Sequence, residues 1–181
     1  PIFVKGGLYK ITIDIEAATS PRTVLADRLS YDTFVSVAQE QPFFIQTANA
    51  EVPVIVKTYY DDVDNFKFDQ SDNSIAFDMP FDWSPDYVDL VQVVHEEVRV
   101  PKTFAPYAEG KQFKGYVNGV EIDQRALLND PYSYDDTNII HFLITKTELQ
   151  KINETLGTGN YDNKKMDLKL VPLSEVSKSS T

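Results

Sequence analysis

The chain contains no cysteine among its 181 residues. That absence excludes structural disulfides, zinc fingers, iron–sulfur clusters, blue-copper centres and thiol catalysis. Basic charge is also scarce: 17 Lys and Arg stand against 28 Asp and Glu, for a formal net charge of −11. Such a balance opposes nucleic-acid binding through phosphates and favours cations or basic partners. Apolar runs stop far short of the roughly 20 residues that a membrane helix requires. The chain opens on Pro1 without a signal-peptide pattern, as expected of a processed protein or of a piece of a longer one. There is no GxSxG, no phosphate-cradling glycine loop and no dinucleotide fingerprint, and no pair among the carboxylates stands out as a glycosidase pair. The expectation is a non-enzymatic protein.

What is present is β pattern. Tyr9, Ile11, Ile13 and Ile15 alternate with Lys10, Thr12 and Asp14, the mark of a half-buried strand over Leu8–Glu16. A polar connection with Ser20-Pro21 follows. Further strands are predicted at Asp32–Ala38, Phe43–Thr47 and Glu51–Tyr60, then a hairpin of Asn65–Asp69 with Ser74–Met79 around Ser71-Asp72-Asn73. The segment Tyr87–Val100 reads as one long strand. Both its faces are apolar over Leu90–Val94 and polar at His95–Glu97, so the first half is expected to cross a core and the second to emerge at a rim.

Phe104–Gly110 reads as an aromatic loop, and Asn118-Gly119 between Val117 and Val120 predicts a tight type I′ hairpin within Gln112–Ile122. Asp123–Asp136 reads as a loop with a helical turn, and Asn138–Thr145 as the last strand. Thr147–Leu156 is the one helix, capped by Thr147 and ended by Gly157. Strand spacing points to an all-β fold: a two-layer antiparallel β-sandwich, Ig-like or jelly-roll-like, with one short C-terminal helix. It spans residues 1–157, and 158–181 is expected to be a tail or linker dispensable for folding.

Candidate sites follow from side-chain chemistry. The only two histidines, His95 and His141, lie in predicted strands, and Glu97 shares the face of His95. If those strands are neighbours, the three converge as ligands for zinc or copper; the ordinary alternative is a pair of hydrogen-bonded histidines at the core edge. Asp61, Asp62 and Asp64 head an acidic cluster suited to calcium, without the glycine and terminal glutamate of an EF-hand; a solvated turn explains it equally. Trp83, Tyr87, Phe104 and Tyr107 offer a platform for a sugar or a partner peptide, or else belong to the core. Asn153-Glu154-Thr155 fits an N-glycosylation acceptor.

The string Phe77-Asp78-Met79-Pro80-Phe81-Asp82-Trp83-Ser84, then Val93 to Lys102, Val117-Asn118-Gly119 and Ile140-His141-Phe142 resembles uncharacterised exported proteins of ammonia-oxidising archaea (Thaumarchaeota), over about residues 55–150. The resemblance implies an extracytoplasmic place, often envelope-anchored, without an established activity. The expected function is a non-enzymatic interaction or accessory subunit at an archaeal cell surface, its partner a protein of a membrane enzyme complex or surface layer, with no cofactor. A copper- or zinc-binding accessory protein and a carbohydrate-binding module are the alternatives.

Overall fold

In the computed structural model of the chain, residues 5–16, 28–48, 50–157 and 164–173 are described. Among the described residues, twelve strands form three antiparallel sheets. β1 (Gly7–Glu16) and β2 (Arg28–Val37) make a two-stranded ribbon; the Ser20-Pro21 connection between them lies outside the described residues. The front sheet contains β3 (Gln39–Gln46), β4 (Glu51–Thr58), β7 (Val93–Pro101), β10 (Leu127–Asp130) and β11 (Thr137–Thr145), in the order β10-β11-β7-β4-β3. The back sheet contains β5 (Asp64–Asp69), β6 (Ser74–Pro80), β8 (Phe113–Val117), β9 (Val120–Glu121) and β12 (Lys165–Pro172), in the order β5-β6-β12-β8-β9. The fold is the expected all-β sandwich.

Period-2 alternation gives each sheet one apolar face. Val54, Val56, Val98, Ile140, Phe142 and Ile144 come from the front, and Ile75, Phe77, Met79, Met166, Leu168 and Leu170 from the back. Phe77 meets Phe142 edge-on across the layers, ring centroids 6.3 Å apart. Helix α2 (Lys146–Leu156) adds Leu149 and Ile152 to the same core. It begins at Lys146 with Thr145 as N-cap rather than at Thr147, and it ends at Gly157, whose φ of 78° suits glycine.

Two expectations are corrected. The long strand does not begin at Tyr87: Ser84-Pro85 starts a helical turn, α1 (Pro85–Val88), and the strand starts at Val93. Its burial also runs opposite to expectation. Leu90 and Val93 are exposed, while Val94, Glu96, Val98 and Val100 are fully buried. Of the polar stretch, Glu96 therefore points into the core, while His95 and Glu97 lie on the other face of the sheet.

The second correction concerns residues 158–181. Of these, 165–172 form β12, an interior strand between β6 and β8; residues 158–163 and 174–181 lie outside the described set. Met166, Leu168 and Leu170 alternate with Lys165, Asp167 and Lys169, which is a half-buried strand pattern. The last strand among the described residues is thus β12 and not β11.

The Asn118-Gly119 turn has positive φ at both residues, 47° and 80°, as a type I′ hairpin demands. Its tip is clipped to β12: Asn118 Oδ1 accepts from the Asp167 amide at 2.7 Å, and the Asn118 amide donates to the Asp167 carbonyl at 2.8 Å.

Candidate metal centre

β7 and β11 are antiparallel neighbours, and their register sets His141 directly opposite Glu97. His95 is two residues from Glu97 on the same strand and so shares its face. That face points away from the sandwich core, because the residues of opposite parity, Val94, Glu96 and Val98, fill the interior. The expected convergence therefore occurs. Among the described residues, His95, Glu97 and His141 are the only group of three or more His, Asp or Glu side chains close enough to share one metal ion.

His95 Nε2 lies 3.1 Å from His141 Nδ1 and 3.9 Å from Glu97 Oε1, and His141 Nδ1 lies 4.0 Å from the same oxygen. The point equidistant from the three atoms is about 2.2 Å from each, close to zinc–nitrogen and zinc–oxygen bond lengths. Without an ion, the two imidazoles share one hydrogen bond, one ring donating to the lone pair of the other. A bound cation would take both lone pairs and displace that proton.

Surrounding groups fix the ligands. Tyr59 OH donates to Glu97 Oε1 at 2.8 Å, and Arg99 Nε and Nη2 donate to Glu97 Oε2 at 3.0 and 2.7 Å. Arg99 Nη1 is held in turn by Glu40 at 2.8 Å. Burial works against ionisation of Glu97, but the bonds from Tyr59 and Arg99 outweigh it and hold the carboxyl below its ordinary range. The Tyr59 ring stacks on His95, centroids 4.4 Å apart and nearly parallel. Burial, then the neighbouring His141, pushes the His95 imidazole below its usual value against the pull of Glu97, so the ring is held neutral and ready to donate a lone pair.

Two cations oppose a metal here: Lys57, opposite Glu97 on β4, and Arg99 itself. Arg99 is largely neutralised by Glu97 and Glu40. Which strands are neighbours cannot be read from the sequence, so the outer support from Lys57 of β4 and from Tyr59, just past the end of that strand, is legible only in part.

The other candidates separate. Trp83 and Tyr107 are core residues: Trp83 Nε1 donates to the Lys165 carbonyl at 2.7 Å, and Tyr107 OH to the Asn73 carbonyl at 2.9 Å. Neither offers a face to a sugar or a partner. Tyr87 and Phe104 are half-buried against the same core, Tyr87 with its hydroxyl bonded to Tyr60.

Asp61, Asp62 and Asp64 do not gather into an oxygen cage. Asp61 Oδ1 accepts the Asp62 amide, Asp62 pairs with Lys5, and Asp64 sits exposed on β5. Among the described residues these carboxylates form no group close enough to share one ion, so the calcium expectation is corrected to an acidic turn. Asn153 is half-buried on α2, where its carbonyl accepts the Gly157 amide at 3.1 Å. Comparison with family models, with curated proteins and with solved structures returns no match.

Proposed function

We propose that the protein is a non-enzymatic, metal-binding accessory module, with zinc or copper(II) held by His95, Glu97 and His141 on the outer face of the front sheet. The single observation that carries this reading is the spacing of the three donor atoms, 3.1, 3.9 and 4.0 Å, around one point at bonding distance. Two imidazoles and a carboxylate suit these borderline ions, and the absence of cysteine removes the thiolate that would favour copper(I). Three protein ligands leave a coordination position for water or for a donor from another molecule. The resemblance to exported archaeal proteins supports an extracytoplasmic setting, with the module serving a larger envelope assembly. No helix of the described residues is long and apolar enough to cross a membrane.

Calorimetric titration of the apo protein with zinc and with copper(II), together with elemental analysis after dialysis, tests the proposal. One equivalent should bind with submicromolar affinity and be lost in His95→Ala and in His141→Ala, with circular dichroism unchanged. Absence of stoichiometric binding, or its persistence in both variants, would leave the histidine pair a structural hydrogen bond.

A further inference from the structure

The β1–β2 ribbon pairs over ten residues on each strand, and in the sheet ladders its strands pair only with each other. Its base is tied to the sandwich by the Leu8 amide, which donates to the Tyr60 carbonyl at 2.7 Å, and by the Gly6 amide, which donates to Gln39 Oε1 at 2.9 Å. Away from that base the alternation of both strands sorts the ribbon into two unlike faces. One carries the cross-strand pairs Tyr9 with Val35, Ile13 with Tyr31 and Ile15 with Leu29. The other carries Lys10, Asp14 and Asp32, with Lys10 Nζ 2.8 Å from Asp32 and Thr12 Oγ1 donating to Asp32 at 2.7 Å.

The apolar face is open: Ile13, Ile15, Leu29 and Tyr31 are 48%, 52%, 60% and 61% exposed. A two-stranded ribbon is marginal in water unless one face is buried, and a contiguous apolar patch of this size marks an interface. Three observations select a second copy as the occupant. First, complete burial of the exposed parts of these side chains against their twins would remove at most about 600 Å² from each chain, which brings the contact to the lower bound of specific interfaces. Second, every copy carries a net charge of −11, so copies can meet only where like charges are kept apart. The described side chains of this face are uncharged, and those charged residues of the ribbon whose side chains are described lie on the reverse. Third, one face of Ile, Leu, Val and Tyr can meet its own copy across a twofold axis, and two such faces stack as a small sandwich.

We propose that the protein is a homodimer in solution, its β1–β2 ribbons packed apolar face to apolar face about a twofold axis. The dimer is independent of the metal centre, since the triad lies on β7 and β11 and keeps all its ligands within one chain.

The absence of native cysteine makes the test direct. Sedimentation of the full chain should give twice the monomer mass, and Ile13→Lys should give the monomer. Because that variant could instead unfold the ribbon, single-cysteine variants supply the second reading. A bis-maleimide spanning about 10 Å should link Ile13→Cys or Tyr31→Cys into a covalent dimer in high yield, and Thr12→Cys, on the reverse face, should not. A wild-type chain that sediments as a monomer at about 100 µM, or equal cross-linking from both faces, overturns the proposal. Metal titration of Ile13→Lys should match wild type, so failure here and failure of the metal reading are separable.

Discussion

His141 stands opposite Glu97 across the β7–β11 ladder, and this one register decides whether a metal centre exists. A slip of one residue would turn His141 into the core and set Ile140 or Phe142 opposite Glu97. Glu97 is anchored from its other side by Tyr59 and Arg99, so the carboxylate is fixed before any ion arrives. Tyr59→Phe should therefore weaken metal binding about 10-fold while sparing the fold, because it removes only the bond that aims Oε1. Glu97→Gln should weaken binding further and also destabilise by about 1–3 kcal/mol, since the largely buried Arg99 loses its main counter-charge. Calorimetry for affinity and urea melts for stability check both. Equal affinity in Tyr59→Phe and wild type would mean that Oε1 is not a ligand.

Metal affinity should depend on pH in one direction only. Burial, then the neighbouring His141, holds His95 below its ordinary 6.5, so that ring is already neutral at pH 7. Below about 6.5 protons compete for the imidazole lone pairs, and affinity should fall as the pH drops. Titrations at pH 5.5, 6.5 and 7.5 test the sign. Tighter binding at the acid end would exclude histidine ligation.

Truncation after Gly157 should abolish folding. It removes β12, which pairs on both sides with β6 and β8 and places Met166, Leu168 and Leu170 in the core. Leu168→Ala alone should cost about 2–5 kcal/mol through lost burial and the cavity left behind. A truncated chain that keeps a cooperative thermal transition would contradict the topology.

The strand alternation of β12 is as clear in the sequence as that of β1, yet it sits between segments without pattern and reads as tail when taken alone. Its role follows only from partners distant along the chain, and no period of the sequence encodes them. The metal triad was legible for a related reason. Two histidines and a glutamate of fixed parity define a short set of candidates, and one strand pairing then decides the matter. The helical turn at Pro85–Val88 is not legible in the sequence, because Tyr87 and Val88 match a strand as well as they match one turn of helix. The buried Trp83 and Tyr107 were equally ambiguous, since an aromatic residue in a β protein reads alike as core or platform until its hydrogen-bond partner is known.

Gly119→Ala isolates the conformational demand of the β8–β9 hairpin. The position has φ of 80°, and an added Cβ would meet nothing within 4 Å. Any cost is therefore backbone strain rather than a clash, about 1 kcal/mol. Gly119→Asn should cost less, since asparagine tolerates positive φ. Chemical denaturation of the three proteins gives the ranking, and a more stable alanine variant would refute the argument.

Glu96 gives the pH test of the fold itself. It points from β7 into the core, fully buried, where its Oε1 accepts from Thr58 Oγ1 at 3.0 Å. Burial, the largest cause, raises its pKa well above the ordinary 4.5, and the bond from Thr58 only partly offsets this. The folded state therefore holds the proton more tightly than the unfolded chain does. The sign follows by linkage: this contribution is fully present below pH 4.5 and is lost as the pH rises toward and through the folded-state value. His95, with its pKa depressed, acts the other way and withdraws stability as the pH falls below 6.5. The two are separated by comparing wild type with Glu96→Gln, which keeps the shape and removes the titration. The melting temperature of wild type should decline relative to Glu96→Gln as the pH is raised from 5 to 9. Parallel curves would show that the carboxyl titrates alike in the folded and unfolded chain, which its full burial beside Thr58 does not allow.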